Sequence, residues 1–243
     1  MSHTGSPPAT RPATHAPGKM RGPIAAFAAA AAGAAYVLAL RPRLLRWGAT
    51  TQEAAGPLAG DEIVPGPRMQ TTRAVTIAAP VSEVWPWLVQ LGAGRGGFYS
   101  YDWLENAAGL GIRSADRIHP ELQHLKVGDV VPLSPDGGLP VRLLESEAVL
   151  GLGGSFDLRT GKMSPAGVRP TGPRLDVGWT FVLRPAGPRA TRLLSRTRYD
   201  YSPVAEGVAL RTLLEPAQFL MERRMLLGIR SRAQRSRAQR RRR

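Results

Sequence analysis

Hydrophobic and polar positions follow two different periods at the start of the folded part of the chain. Residues 71–77 are rich in β-branched side chains that alternate with other types, which predicts a strand that Pro80 ends. Residues 81–91 then change to helical spacing. Their apolar side chains recur every three or four positions, at Val84, Trp87, Leu88 and Leu91. The pattern therefore predicts a strand followed by a short helix.

The remaining pattern predicts a second short helix, five more strands and a long final helix. The short helix covers 101–108, and the strands cover 129–133, 141–147, 148–152, 177–183 and 191–199. A polar, Pro/Gly-rich stretch at 156–174 is too long for a tight turn and is interpreted as a loop or lid. From Val204 an apolar stripe marks one helix face, at Leu210, Leu214, Ala217, Met221, Met225 and Ile229. This order predicts an α+β fold with the last helix packed on a curved sheet.

The N-terminal region has the composition of a disordered segment followed by a membrane anchor. Residues 1–23 are rich in Pro, Thr, Ser, Gly and Ala, and residues 24–40 carry no charge. Ten of these seventeen residues are alanine, so insertion is marginal, and a cleaved signal peptide or an alanine-rich helix packed in the body are the alternatives. The expected localisation is a single-pass anchor with the domain on the cytoplasmic side. Residues 41–65 follow as a connector, 66–230 as the domain, and 231–243 as a disordered tail.

The positive charge of the chain is concentrated outside the domain. The formal net charge is +15, but the stretch between Trp47 and Ile229 holds 19 basic and all 18 acidic residues, a net of +1. Eight arginines lie between Arg230 and Arg243. Such a tail can bind phosphates on anionic lipid or nucleic acid, or it can be solvated. Nucleic acid ranks last, because the domain adds no basic face of its own.

Several stretches resemble a known superfamily. The segment TRAVTIAAPVSEVWPWLVQLG resembles the START-like SRPBCC superfamily, which includes polyketide cyclases, aromatase/cyclases and lipid-transfer domains. Five further stretches resemble an uncharacterised bacterial group within this superfamily that has an N-terminal anchor. They are RWGAT, GRGGFYSYDWLEN, GDVVPL, TRLLSRTR and MERRMLLGI. The resemblance covers roughly residues 46–230. It implies a helix-grip fold: a seven-stranded antiparallel sheet around the C-terminal helix, with a deep cavity between them. The residue pattern alone gives six strands.

The segment from Arg95 to Asn106 concentrates aromatic, carboxylate and amide groups beside a glycine-rich break. Small-molecule pockets are mostly apolar with a few placed polar groups, and this segment supplies both. Its candidate ligand-binding residues are Tyr99, Tyr101, Asp102, Trp103, Glu105 and Asn106. The alternative is that the aromatic residues pack in the core and the carboxylates are solvated or cap the helix. Met221, on the stripe of the long helix, is a further candidate.

Arginines alternate along the strand 191–199. Arg192, Arg196 and Arg198 share one face with Leu194. If that face points inward, Arg196 or Arg198 can pair with Asp102, with Glu105 or with a ligand carboxylate. If it points outward, they are solvated arginines.

The sequence lacks the patterns of most cofactor and metal sites. It contains no cysteine, which excludes thiolate catalysis and cysteine-based metal sites. His119 and His124 lack further convergent ligands and are interpreted as a surface loop. Gly92–Gly97 follows a helix rather than a strand, so it does not meet the context of a phosphate loop. We therefore expect no cofactor and no metal.

Three functions are compatible with these patterns. The first is a membrane-anchored START-like domain that binds or transports a hydrophobic small molecule or lipid. The second is an enzyme similar to a polyketide cyclase or aromatase, in which a tyrosine, aspartate or arginine assists proton transfer. The third is a scaffold that contacts anionic lipid or nucleic acid through its arginine-rich tail.

Overall fold

The computed structural model describes residues 31, 33–107, 109–135, 137–164 and 168–240, without the side chains of 204–214 and 239–240. The chain divides into two compact units, Met1–Arg41 and Pro42–Arg243. The described part of the first unit includes a π-helical segment, Tyr36–Leu40. Residues 1–23 and much of the predicted anchor lie outside the described residues. Among the residues that are described, no helix is both long and apolar enough to cross a membrane.

Seven antiparallel strands form the sheet of the second unit. They are β1 (Met69–Ile77), β2 (Val130–Ser134), β3 (Gly137–Glu145), β4 (Val149–Asp157), β5 (Lys162–Met163), β6 (Arg174–Pro185) and β7 (Thr191–Ser202). Their order is β1-β7-β6-β4-β3-β2, with β5 added beside β4. The strand that the six-strand prediction lacked is β5. It lies within the predicted 156–174 loop. It is two residues long, and a strand this short gives no periodic signal in the sequence.

Five α-helices accompany the sheet in the described part of the chain. They are α1 (Arg41–Leu45), α2 (Thr51–Ala55), α3 (Val81–Val89), α4 (Asp102–Ala107) and α5 (Val204–Arg240). Two 3-10 turns, Asp61–Ile63 and Pro120–Leu122, lie in the connections. A seven-stranded antiparallel sheet with a long C-terminal helix fits the helix-grip arrangement.

Helix α5 continues through most of the segment predicted to be a disordered tail. Ala233 in this extension is fully buried, and Arg232 donates from Nε to the carbonyl oxygen of Ala115 at 2.7 Å. Arg237 donates to the carbonyl oxygens of Ala78 and Arg189. Composition suggested disorder because arginines dominate, but Arg, Ala and Gln are good helix formers and no Gly or Pro interrupts them after Gly228.

The inner face of the sheet carries the main core, packed against α3 and α5. Leu150 of β4 and Leu193 of β7 are fully buried there, together with Trp87 of α3 and Leu226 and Ile229 of α5. The predicted apolar stripe of α5 holds at Met225 and Ile229. It is wrong at Ala217, which is exposed, and the buried face instead includes Glu222. The side chains of Leu210 and Leu214 are outside the described residues.

The outer face of the sheet is covered by residues 49–64. Leu58 packs in a second apolar cluster with Leu194 of β7, and Ile63 lies over the glycines of β4 and β6. Arg196 is therefore only 2% exposed although its face points away from the helix. The prediction that an outward face means solvated arginines is wrong for Arg196, because a segment distant in sequence shields it from water.

Candidate ligand-binding cavity

A cavity of about 280 Å³ lies between the inner face of the sheet and α5. Four groups of elements form its wall: residues 98–107 with Leu110, strands β2 and β3, strands β6 and β7, and α5. The lining residues are Phe98, Ser100, Glu105, Leu110, Leu133, Leu139, Val177, Trp179, Thr197, Tyr199, Gln218, Met221, Glu222 and Met225. Its position agrees with the cavity that the resemblance implies.

Most of the wall is apolar and aromatic. The ring centroids of Phe98 and Trp179 are 6.4 Å apart, and those of Trp179 and Phe181 are 4.9 Å apart. The indole nitrogen of Trp179 donates to Ser195 Oγ at 3.0 Å. Because this donor is already satisfied, Trp179 presents apolar surface to the cavity.

The loop before α4 directs successive side chains to opposite sides. Phe98 and Ser100 line the cavity, whereas Tyr99 is buried in the core against Trp87. The Tyr99 hydroxyl donates to the carbonyl oxygen of Trp87 at 3.0 Å, and its backbone N–H donates to Ser114 Oγ at 2.9 Å. Tyr99 has φ 58°, a left-handed conformation that costs free energy in a residue with a Cβ. These contacts hold it there and so position Phe98 and Ser100.

Glu105 brings a carboxyl group into the cavity wall from α4. It is only 3% exposed, and its Oε2 has no hydrogen-bond partner in the described structure. Burial, with a further contribution from the nearby Asp102, raises the pKa of Glu105 to about 7. A carboxyl group with this pKa exchanges a proton near neutral pH.

Glu222 brings a second carboxylate from α5. Its Oε2 accepts a hydrogen bond from Arg73 Nη1 of β1, and Oε1 has no partner in the described structure. Both side chains are buried, at 0% exposure for Arg73 and 5% for Glu222. Burial raises the pKa of the neighbouring Tyr199, and the charge of Glu222 adds to this shift. Tyr199 is therefore a neutral hydroxyl in the wall.

Of the residues that the sequence predicted for the site, Glu105 and Met221 lie in the cavity wall. The five other predicted residues of the segment from Arg95 to Asn106 do not, and one of them, Tyr99, is buried in the core. Asp102 accepts hydrogen bonds from the backbone N–H and the hydroxyl of Ser114, at 2.8 and 2.6 Å. Asn106 pairs with the backbone of Ile112 in both directions. These two side chains hold the loop at Ile112 and Ser114. Tyr101 packs against Trp103, which is 71% exposed.

The predicted arginines lie on the opposite face of the sheet from the cavity. Arg196 donates to Thr72 Oγ1 and to the carbonyl oxygens of Glu53, Ala54 and Gly56, and it pairs with Asp61 at 2.8 Å. Arg198 also contacts Asp61. The structure does not bring either arginine to Asp102 or Glu105. Their role is to fasten the covering segment to the sheet.

The sequence prediction missed most of the cavity wall, although part of it was accessible. Thr197 and Tyr199 are the residues that alternate with the arginines of β7, and Val177 and Trp179 show the same two-residue spacing on β6. Met225 lies one helical turn beyond Met221. Glu222 gave no signal, because a carboxylate inside an apolar stripe is normally assigned to the exposed side.

No group of three or more metal-ligating side chains gathers within the described residues. The two cavity carboxylates belong to different elements, and Arg73 already pairs with one of them. They are two carboxyl groups that project from an otherwise largely apolar wall.

No protein-family model matches the sequence, and neither does any curated protein. Among solved structures, a protein from Nitrosomonas europaea shares 14% identity with a TM-score of 0.40, over 70% of this chain and 97% of that one. Truncated norcoclaurine synthase from Thalictrum flavum shares 16% identity with a TM-score of 0.36, over 67% and 91%. A polyketide-cyclase-like protein from Corynebacterium glutamicum shares 14% identity with a TM-score of 0.32, over 66% and 88%.

The solved structures that the chain is similar to thus include one described as polyketide-cyclase-like. Because each TM-score is below 0.5, the helix-grip assignment rests on the strand order and on the position of the C-terminal helix.

Proposed function

We propose that this protein binds an apolar small molecule in the cavity between the sheet and α5. The observation that carries the proposal is the wall itself, which aromatic, aliphatic and methionine side chains line and from which a few polar groups project on defined elements. This combination is typical of small-molecule sites.

The size of the cavity narrows the class of ligand. Its volume of about 280 Å³ lies at the lower end of the range of roughly 300–1,000 Å³ that is usual for small-molecule sites. A compact molecule of one to three rings fits this space better than a lipid with two acyl chains. We therefore favour a small cyclic or branched compound over a phospholipid.

A second candidate function, proton-transfer catalysis similar to that of a polyketide cyclase, is favoured by Glu105. Its pKa of about 7 suits a general acid or base at neutral pH, and it lies in the wall of the cavity. A Glu105→Gln variant that still binds the natural compound but no longer converts it would support this candidate. Equal conversion by the variant and the parent protein would contradict it.

Membrane anchoring by residues 24–40 remains part of the proposal. The support is compositional: seventeen consecutive residues without a charge, followed by Arg41, Arg43 and Arg46. We expect the full chain to sediment with membranes and a chain lacking residues 24–40 to remain in the supernatant. If both sediment equally, the anchor prediction is wrong.

Native mass spectrometry of the full chain, purified from its expression host, tests the binding proposal. We expect a mass shift from a compound that organic solvent extracts and that chromatography identifies as apolar and compact. A chain that stays empty, both as purified and after incubation with a library of apolar ring compounds, would overturn the proposal.

A further inference from the structure

Three buried polar atoms of the cavity wall have no partner in the described structure. They are Oε2 of Glu105, Oε1 of Glu222 and Oγ1 of Thr197, and all three side chains are at least 95% buried. A buried polar group without a hydrogen bond costs free energy, more so when it is charged. Three such atoms in one cavity therefore point to a ligand that satisfies them.

The unsatisfied atoms are mainly acceptors. Two belong to carboxyl groups, and no lysine, arginine or histidine is among the lining residues. Arg73 lies behind the wall and pairs with the other oxygen of Glu222. Ser100 and Trp179 already donate to protein atoms, and Gln218 is hydrogen-bonded to Tyr199. The cavity thus offers negative charge and acceptors to its ligand, inside an apolar shell.

We propose, on the basis of the function proposed above, that the ligand is an apolar ring compound that carries a basic amine. Its ammonium group donates hydrogen bonds to Glu105 and Glu222, and the rings occupy the space beside Phe98 and Trp179. An ammonium group has several N–H donors and no acceptor, so it complements this set of atoms. An alcohol has one donor, and a carboxylate or phosphate would meet charge of its own sign.

The protonation of Glu105 gives a second consequence. In the unliganded cavity, burial raises the pKa of Glu105 to about 7. An ammonium group beside it favours the charged form and lowers that pKa again. Binding of the amine near pH 7 therefore releases protons, whereas binding of a neutral compound does not.

Three probes with the same ring system test the proposal: 1-naphthylmethylamine, 1-naphthalenemethanol and 1-naphthoic acid. Each is titrated calorimetrically into the full chain at about pH 8, where the amine is still protonated because alkyl ammonium groups have a pKa near 10. We expect the amine to bind roughly 10-fold or more tightly than the alcohol, and the acid to bind most weakly. Equal binding of amine and alcohol would overturn the amine proposal and leave the cavity proposal intact. If none of the three binds, both proposals fail.

Two variants test whether the preference for the amine depends on contact with Glu105. Glu105→Gln keeps the shape of the side chain and should weaken the amine about 10-fold while leaving the alcohol unchanged. Glu121→Gln removes the same charge from an exposed position outside the cavity, so it should change neither probe. An equal loss in both variants would assign the preference to long-range charge and contradict the proposed contact. If Glu105→Gln does not fold, proton release by the parent protein decides, measured near pH 7 in buffers of different ionisation enthalpy: release with the amine supports the contact, and none contradicts it.

Discussion

Arg73 of β1 donates a hydrogen bond through Nη1 to Oε2 of Glu222 in α5, and both side chains are almost completely buried. The pair joins the inner face of the sheet to the C-terminal helix at the edge of the cavity. Arg73 is held further by a hydrogen bond from Nε to the carbonyl oxygen of Leu44 at 3.2 Å, and it lies over the ring of Phe219. The position of Glu222 in the cavity wall thus depends on the charge of Arg73, which is not itself a lining residue.

Removal of one partner of this pair should be costly. Arg73→Met leaves the Glu222 carboxylate buried without compensation, and we expect the free energy of unfolding to fall by about 3–5 kcal/mol. The double variant Arg73→Met/Glu222→Met removes both charges and should recover most of this loss. Urea denaturation of the two variants measures the difference. A double variant as unstable as Arg73→Met would show that packing, rather than the uncompensated charge, sets the cost.

Filling the cavity should displace its ligand. Val177→Phe adds a ring from β6 on the inner face, and we expect the amount of co-purified compound to fall at least about fivefold while the protein stays folded. Val182→Phe is the matched control, because this valine of the same strand is similarly buried but belongs to the outer cluster. Native mass spectrometry compares them. Equal ligand loss in both variants would mean that overpacking, not occupancy of the cavity, causes it.

The pKa of Glu105 predicts how stability depends on pH. It is about 7 in the folded chain against an ordinary value of 4.5, so the folded state binds this proton more tightly than the unfolded state does. The contribution of Glu105 is therefore constant below about pH 4.5, falls as pH rises from there to about 7, and is constant again above that. Subtracting the unfolding free energies of Glu105→Gln from those of the parent protein isolates this term. A flat difference between pH 4.5 and 7 would contradict it.

Gly228 allows α5 to approach the loop that carries Tyr99. A Cβ at this position would lie 2.2 Å from the carbonyl oxygen of Tyr99 and 2.8 Å from its Cβ. In an exposed helix, replacing glycine by alanine stabilises by about 1 kcal/mol. Here we expect Gly228→Ala to destabilise instead, by about 1–3 kcal/mol, because the nearest neighbour is a backbone oxygen that cannot move aside easily. Thermal denaturation reports the sign, and a stabilised variant would show that the close approach is not required.

The last turns of α5 should contribute to stability. A chain that ends at Arg230 loses the buried Ala233 and the contact of Arg232, whose guanidinium lies 4.7 Å from the ring centroid of Tyr99. We expect it to be less stable by about 2 kcal/mol, whereas a chain that ends at Ala238 should match the parent within about 0.5 kcal/mol. Equal stability of the two truncated chains would contradict a structural role for this segment. In a separate assay with vesicles of anionic lipid, loss of binding by both truncated chains would support contact between the tail and anionic lipid.

The sequence predicts the strands and helices well where the residue pattern is regular. β1 and β7 alternate, α3 repeats every three or four residues, and their bounds are close to those predicted. It fails where burial comes from a segment far away in the chain. Arg196 has the pattern of a solvated residue, and only the fold shows that residues 49–64 cover it.

The cavity was predictable in location and only partly in composition. Glu105 and Met221 were identified because they lie on elements whose patterns are clear. Glu222 could not be, because its burial depends on Arg73, which is 149 positions away in the sequence. Asp102 and Asn106 have the residue types of a binding site, yet they use their hydrogen-bonding capacity on the adjacent loop.

The pairing of β1 with β7 has a consequence for folding during synthesis on the ribosome. Ile77 pairs with Thr191, which is about 110 residues further along the chain. In the described sheet β7 is the only neighbour of β1, so β1 is synthesised long before the strand with which it pairs. At roughly 5–20 residues per second, synthesis leaves β1 without that neighbour for several seconds or more. Over that interval a β-branched strand edge is open to other chains, and protection from a chaperone would matter most then.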